Sequence, residues 1–220
     1  MQDLRQAMPE DRYILTTALP TGEYCLKNID LAELGNTVTF LNLMAYDFSG
    51  AWSKAAGHHA QLRSRDLGEP HPQEKSVARG VEYVLSRGFP APKILVGVPA
   101  YARFFPSARG PTEEFMLGGE MEYNTLPEEW ITQADVDETL GTASVVHEES
   151  GNGFVSFDIP QTVAIKARYV KENMLGGLFY WTAAGDRDDG LSLVASGYDE
   201  LRTGDGGEAS RDGGGADQTL

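Results

Sequence analysis

The sequence predicts an α/β fold in which the strands of a parallel sheet are joined by helical crossovers. Strand-like and helix-like segments alternate along the chain, a pattern typical of consecutive βα units. A long insert at roughly 105–155, with both strand-like and helix-like pieces, interrupts this alternation. With 220 residues, of which 41% are hydrophobic, the chain is large enough to bury a substantial core.

Four segments have the character of buried strands, because each is a short apolar run that ends at a turn residue or a polar residue. They are 13–18, 37–46, 94–98 and 176–181. Pro20 and Pro99 follow the first and third of them, where proline, which lacks a backbone N–H, is tolerated at the end of a strand. The four runs predict the strands of the parallel sheet.

Helices are expected between these strands. The segment 74–87 places Val77, Val81 and Val84 on one face and is followed by Gly88, a favoured residue after a helix. Proline is also favoured at a helix start, as at Pro160. The predicted helices are 30–35, 74–87, 160–173 and 189–201, with a further helix at about 132–140 in the insert and the end of an amphipathic helix at 1–8. The insert is also expected to hold strands at 143–147 and 154–157.

The charge of the chain argues against two kinds of partner. There are 18 basic and 33 acidic residues, so the formal net charge is −15. Nucleic acid and anionic membrane both require positive protein surface, and neither is expected as a partner. No apolar run approaches a membrane span, and the N-terminus lacks the apolar centre of a secretory signal, so no export signal is evident.

Metal and disulfide chemistry are not expected. Cys25 is the single cysteine, which excludes an internal disulfide and a thiolate metal cluster. The four histidines are His58, His59, His71 and His147, and none stands in a zinc motif. We predict that they are exposed loop residues and that the protein uses no metal and no cofactor. The glycine-rich segment 203–220 is predicted to be disordered and to carry no site.

Polar and aromatic residues stand at the ends of the predicted strands. In parallel sheets, the carboxyl ends of the strands are where sites form. Tryptophan can stack on a sugar ring, and arginine and tyrosine can donate hydrogen bonds to its oxygens. The candidates are Tyr46 and Asp47 after the second strand, Tyr101 and Arg103 after the third, Trp181 after the fourth, and Met44, which projects from the same side as Tyr46.

Structural interpretations of the same residues remain open at this point. Trp181 is equally consistent with a core aromatic, Arg103 with a surface salt bridge, and Asp47 with a helix N-cap. A core strand with a polar end would explain the second strand without a site.

Longer motifs favour the functional interpretation. Residues 43–52 are LMAYDFSGAW, followed by AGH at 56–58, and residues 93–105 are KILVGVPAYARFF. Residues 155–161 are VSFDIPQ, and residues 175–186 are LGGLFYWTAAGD. In this order the segments resemble glycoside hydrolase family 18 chitinases of fungal and bacterial type. The resemblance is to M-x-Y-D on the sixth strand, G-x-P-x-Y-G-R-x-F on the seventh, the return from an α+β insertion, and G-G-x-x-x-W on the eighth.

The resemblance implies a partial TIM (β/α)8 barrel, strands five to eight, with the α+β chitinase insertion domain. It divides the chain into strands five to seven with their helices (1–104), the insertion (105–155), the last crossover helix with strand eight and the final helix (156–202), and the tail (203–220).

The family uses a retaining mechanism in which the sugar's own 2-acetamido oxygen attacks the anomeric carbon. By resemblance, Tyr46 would orient that oxygen through a hydrogen bond, and Asp47 would stabilise the positive charge that develops. Both would be catalytic residues. The substrate-binding residues implied by the resemblance are Met44 under the site, Tyr101 and Arg103 on its wall, and Trp181 as its floor.

The general acid of the family is missing from this sequence. That acid is the glutamate of a D-x-x-D-x-D-x-E motif on the fourth strand, and no segment of the 220 residues matches it. The nearest acidic cluster, DVDE at 135–138, lacks the spacing and is expected to be a solvated part of the insert's helix. Since 13–18 resembles the fifth strand, the chain is expected to begin after the fourth.

Three functional hypotheses follow. The first is a truncated form of a chitinase that hydrolyses β-1,4 N-acetylglucosamine linkages, inactive as this chain alone. The second is a non-catalytic, lectin-like protein that binds chitin or chitooligosaccharides. The third is self-association, in which two half barrels close one barrel. Members of the family are typically secreted.

Overall fold

A four-stranded parallel sheet forms one half of the computed structural model, which describes residues 1–64 and 75–203. Its strands are β1 (Thr16–Pro20), β2 (Phe40–Met44), β3 (Ile94–Pro99) and β9 (Gly177–Trp181). They pair in the order β1–β2–β3–β9, each parallel to its neighbour. The predicted succession of parallel strands is therefore confirmed. Among the described residues β1 and β9 are the two edges of the sheet, which is open and not closed into a barrel.

The strand ends differ slightly from the prediction. Pairing between the first two strands begins at Thr16 opposite Phe40, so β1 starts three residues later than predicted from the apolar run at 13–18. β2 ends at Met44, so Tyr46 and Asp47 lie just beyond the last paired residue. This places both side chains in the loop at the carboxyl end of the sheet.

Seven α-helices are found in the described residues. They are α1 (Gln2–Ala7), α2 (Glu23–Leu26), α3 (Leu31–Thr37), α4 (Val77–Ser86), α5 (Glu128–Thr132), α6 (Pro160–Glu172) and α7 (Leu193–Arg202). The caps explain where three of them begin: Asp30, Ser76 and Ser192 each accept a hydrogen bond from the backbone N–H three residues on. No residue of α1 is buried, so the apolar face predicted for it does not join the core. No helix within these residues is long and apolar enough to cross a membrane.

The core lies on one face of the parallel sheet. Leu41, Leu43 and Ala45 are completely buried and pack in a cluster with Val77 and Val81 of α4. The alternating residues of the second strand, including Met44 and the following Tyr46, are only half-buried. The sheet therefore presents a second, more accessible face, and the candidate site lies at the carboxyl end of that face.

The insert forms a five-stranded antiparallel sheet. Its order is β5 (Gly119–Glu122), β4 (Tyr101–Phe105), β8 (Gly153–Phe157), β7 (Thr142–His147), β6 (Asp135–Asp137). This sheet begins at Tyr101 and ends at Phe157, so it is wider than the 105–155 predicted for the insertion. One residue, Ala100, separates β3 from β4, and the chain turns directly from the parallel sheet into the antiparallel one. Tyr101 and Arg103 thus lie on the first strand of the insert.

The helix predicted at 132–140 is wrong. The helix is α5, which ends at Thr132, and Asp135–Asp137 is the strand β6. The Asp137 carboxylate accepts a hydrogen bond from the N–H of Leu140, and Gly141 adopts a positive φ of 65°, so the chain reverses into β7. The acidic cluster at 135–138 is therefore part of a hairpin. The predicted tail lies outside the described residues apart from Thr203, as does His71.

Candidate active site

Asp47 is the centre of a group of polar side chains at the end of β2. Its backbone has a φ of 60°, in the left-handed region that aspartate and asparagine tolerate better than other non-glycine residues. Tyr101 donates a hydrogen bond from its hydroxyl to Asp47 Oδ1 at 2.8 Å. Arg103 donates to the same oxygen from Nε and Nη2, at 3.0 and 2.9 Å. Within the described part of the chain, no hydrogen bond reaches Oδ2.

The surroundings keep Asp47 ionised. Burial raises the pKa of its carboxyl, but the nearby ring of His59, the hydrogen bonds from Tyr101 and Arg103, and the positive charge of Arg103 outweigh burial and lower the pKa to about 2. A fixed negative charge therefore stands at the carboxyl end of the parallel sheet at all physiological pH values. The N-cap interpretation of Asp47 is not supported, because no helix begins at the residue that follows it.

Arg103 is held from several directions. A second carboxylate, Glu120, forms an ion pair with its Nη1 at 2.7 Å. The guanidinium carbon lies 4.9 Å from the centre of the Trp52 ring and 5.2 Å from that of Tyr101. Only 9% of Arg103 is exposed, so the surface salt bridge considered for it is replaced by ion pairs in which the arginine is buried and the carboxylates of Asp47 and Glu120 remain partly exposed.

Sequence reasoning did not single out Glu120 or Trp52. Glu120 is directly opposite Arg103 in the antiparallel pair of β4 and β5, a register that the sequence does not reveal. Trp52 ends the segment LMAYDFSGAW at 43–52, and its position in that segment could have signalled it. Its side chain is 59% exposed while it covers Arg103, so one of its faces stays available to a ligand.

Tyr46 packs between aromatic neighbours on the accessible face of the sheet. Its ring meets that of Tyr101 edge to face, with centroids 6.2 Å apart, and lies 6.3 Å from that of Phe179 on β9. Burial, followed by the negative charge of Asp47, raises the pKa of the Tyr46 phenol to about 12. The hydroxyl therefore keeps its proton and can donate a hydrogen bond.

Trp181 and Met44 border the same face. Trp181 ends β9 opposite Pro99, two residues beyond Phe179, so both side chains project from one side of the strand. Its side chain is 57% exposed, which excludes the core interpretation. Met44 is half-buried at the end of β2, on the side of Tyr46. The structure thus brings Tyr46, Asp47, Tyr101 and Arg103 into direct contact and places Met44 and Trp181 on the adjoining sheet face.

His59 departs most from the sequence-based expectation. It was predicted to be an exposed loop residue, but it is completely buried behind Asp47, with Nδ1 3.8 Å from Oδ1 and its ring 5.3 Å from that of Tyr101. His58 is half-buried against Phe154, and His147 lies on β7 beside Trp130. Among residues 1–64 and 75–203, no group of three or more histidine, cysteine, aspartate or glutamate side chains could hold a metal ion.

Comparison with known proteins agrees with this architecture. The family model described as "Glycosyl hydrolases family 18" matches residues 1–186. Chitinase 1 of Aphanocladium album is 29% identical over 196 residues, which cover 86% of this chain and 46% of the relative. Endochitinase 1 of Metarhizium robertsii is 30% identical over 194 residues, covering 85% of this chain and 45% of the relative. The chain thus spans about half the length of these curated relatives.

Solved structures show the same fold. The class V chitinase from Nicotiana tobaccum superposes with a TM-score of 0.73 at 25% identity, covering 90% of this chain and 60% of that one. A mutant of that enzyme was solved in complex with NAG4. Catalytic domain 2 of the Ostrinia furnacalis Group II chitinase shares the fold, with a TM-score of 0.79 over 91% of this chain and 58% of that one at 22% identity. The chain is therefore a chitinase-type α/β protein. It belongs to family 18 of the glycosyl hydrolases.

Proposed function

We propose that this chain carries the sugar-holding part of a family 18 chitinase site and binds the β-1,4-linked N-acetylglucosamine units of chitin. One observation carries the proposal. The ionised Asp47 is held on one oxygen by Tyr101 and Arg103, and it lies next to the protonated phenol of Tyr46. The exposed ring of Trp181 on the same face supplies an apolar plate on which a sugar ring can stack.

These groups suit a reaction assisted by the substrate. The acetamido oxygen of the sugar attacks the anomeric carbon, the bond to the leaving oxygen breaks, and an oxazolinium ion forms with retention after hydrolysis. Tyr46 would donate its hydroxyl hydrogen to the acetamido oxygen and hold it in line for attack. Asp47, with Oδ2 unoccupied by the described residues, would stabilise the developing positive charge. Tyr101 and Arg103 keep that carboxylate charged and oriented.

The remaining half of the chemistry is not supplied by these 220 residues. The leaving oxygen must receive a proton, and the sequence contains no D-x-x-D-x-D-x-E motif to provide it. General acid catalysis contributes a factor of about 10²–10⁴ to such reactions. We therefore propose that the 220-residue polypeptide hydrolyses chitin slowly or not at all by itself, while retaining affinity for chitooligosaccharides.

A lectin-like role is the second candidate. It is favoured because the groups that would contact the sugar are assembled while the motif that holds the acid is absent from the sequence. The two functions differ in whether hydrolysis appears when a complementary set of barrel strands is added. A chitinase site would then hydrolyse chitooligosaccharide, whereas a lectin-like protein would bind it without hydrolysing it.

Isothermal titration calorimetry of the 220-residue chain with chitotetraose, together with a hydrolysis assay, tests the proposal. We expect binding without turnover, and weaker binding for Tyr46→Phe and Trp181→Ala. Tyr198→Phe is the matched control, because Tyr198 is an exposed tyrosine on α7 whose hydroxyl pairs with Arg202. Hydrolysis of chitotetraose by the unmodified chain, abolished in Tyr46→Phe, would contradict the proposal that the chain is inactive by itself. No heat at millimolar ligand would contradict sugar binding.

Self-association through the open sheet is a separate proposal. It is supported by the two unpaired edges, β1 and β9, of the described parallel sheet, since exposed strand edges tend to pair with other chains. Two copies could join these edges and cover each other's accessible sheet faces. Light scattering should then report a dimer, and a strictly monomeric species would exclude this arrangement.

A further inference from the structure

His59 has no hydrogen-bond partner for either ring nitrogen in the described part of the structure, although it is completely buried. A buried polar group left without a partner costs roughly 1–3 kcal/mol. The position is therefore unfavourable for stability alone. One of its polar neighbours belongs to the candidate site, since Nδ1 lies 3.8 Å from Asp47 Oδ1. That distance is longer than the 2.7–3.2 Å typical of a hydrogen bond.

The backbone of His59 is fixed on both sides. Its carbonyl accepts a hydrogen bond from the N–H of Phe48 at 3.0 Å, and its N–H donates to Ser156 Oγ on β8 at 3.3 Å. The ring is also packed against Tyr101. Because the backbone of His59 is fixed and its ring is buried, Asp47 is the freer of the two groups to move.

Asp47 is able to make that movement. Its side chain is 36% exposed, and a shift of roughly 1 Å would bring Oδ1 within hydrogen-bond distance of Nδ1. Arg103 would keep its ion pair with Glu120 during the movement, so the guanidinium would not be left without a counterion. The movement would exchange a donor on Tyr101 or Arg103 for the one on His59.

We propose that His59 is a positioning residue for Asp47: its neutral imidazole donates its Nδ1–H to Oδ1 once the carboxylate shifts toward the ring, and this contact orients the carboxylate for a bound sugar. The sugar-dependent part of this inference rests on the proposed function. Burial of the ring favours its neutral form. Burial lowers the pKa of His59 and Lys166 acts in the same direction, against the raising effects of Asp47 and Asp158. On the far side of Asp47, the titratable groups that face the pair among the described residues include Tyr101, Arg103 and the Tyr46 phenol.

Imidazole ¹⁵N NMR on the 220-residue chain tests the pair without sugar. We expect a neutral His59 in the Nδ1–H form. Asp47→Ala should shift it toward the Nε2–H form, and Asp47→Asn, whose carbonyl oxygen still accepts a hydrogen bond, should keep the Nδ1–H form. His147→Leu serves to assign the spectrum and should not alter the His59 signals. An Nε2–H form in the unmodified chain, or a His59 signal that is the same in Asp47→Ala, would overturn the proposal.

Binding then tests the role. Relative to the unmodified chain, His59→Leu should weaken chitotetraose binding roughly three- to tenfold. His59→Asn, which can still donate a hydrogen bond, should weaken it less, and addition of chitotetraose should move the Nδ1–H resonance downfield. Equal affinities for the Leu variant and the unmodified chain would overturn the positioning role. If the unmodified chain binds no sugar, the proposed function fails, but the tautomer measurements still test the contact between His59 and Asp47. Those measurements do not use His59→Leu, so they also remain decisive if that variant does not fold.

Discussion

Gly97 on β3 leaves the space that the ring of Tyr46 occupies. A Cβ atom at position 97 would lie 2.7 Å from Tyr46 Cε1 and 2.8 Å from Phe179 Cζ, both far inside normal contact. It would also lie 2.9 Å from the carbonyl oxygen of Leu43, which cannot move without disturbing β2. The lack of a side chain at Gly97 on β3 therefore makes room for the ring of Tyr46, which follows the neighbouring strand β2.

Gly97→Ala should displace Tyr46 and reduce both stability and sugar binding. Forcing a methyl group into a packed site costs about 1–3 kcal/mol in the free energy of unfolding, which denaturant titration measures. Gly22→Ala is the control, because a Cβ there meets nothing within 4 Å and the residue has an ordinary φ of −73°. An unchanged unfolding midpoint for Gly97→Ala would show that the ring of Tyr46 is not confined as described.

Arg103→Lys should destabilise the chain although it conserves the charge. Lysine cannot place two N–H groups on Asp47 and a third on Glu120 at the same time. We expect a loss of about 1–3 kcal/mol in the free energy of unfolding. Arg109→Lys alters an ion pair with Glu148 whose two side chains are exposed, and it should change that free energy by less than about 0.5 kcal/mol. Similar losses in the two variants would argue against the arrangement around Arg103.

The ion pair between Lys166 on α6 and Asp158 lies entirely inside the protein. Lys166→Met should cost about 3–5 kcal/mol in the free energy of unfolding, because it leaves the Asp158 carboxylate buried without its counterion. The double variant Lys166→Met with Asp158→Leu removes both charges and should recover much of that loss. A double variant no more stable than the single one would mean that lost packing, and not the unpaired charge, causes the effect.

The buried His59 should make the protein less stable in mild acid. Its pKa is lowered in the folded state from the ordinary 6.5, so below that pH the unfolded chain binds a proton that the folded chain does not. The free energy of unfolding should therefore fall as the pH drops below 6.5, by up to about 1.4 kcal/mol per pH unit. The pKa of Asp47 is lowered from 3.8 to about 2 in the folded state, so its ionised form stabilises the fold. That contribution is fully present above pH 3.8 and is lost as the pH falls through about 2.

Denaturant titrations at pH 7.5 and pH 5.5 measure this dependence. His59→Asn should flatten the profile, whereas His147→Asn should leave most of the slope in place. A slope that is the same in His59→Asn would show that His59 does not remain neutral in the folded protein.

Much of the fold was accessible from the sequence, for physical reasons. The parallel strands are mostly apolar, and Tyr46, Asp47 and Trp181 lie at the ends of two of them, where the topology gathers side chains. What escaped prediction depends on contacts that are distant in sequence. Glu120 reaches Arg103 through strand register, and His59 is buried because the loop after β2 folds back onto Ser156. The hairpin at Asp137 was mistaken for a helix because short polar segments carry little periodic signal.

The central claim is that these residues hold a sugar but do not cleave it. Calorimetry with chitotetraose on the 220-residue chain, with hydrolysis of the same sample followed in parallel, tests it most directly. We expect saturable heat that Trp181→Ala weakens and Tyr198→Phe does not, with little or no hydrolysis. A chain that releases no heat at millimolar chitotetraose, or that hydrolyses it at a rate abolished by Tyr46→Phe, would contradict the account.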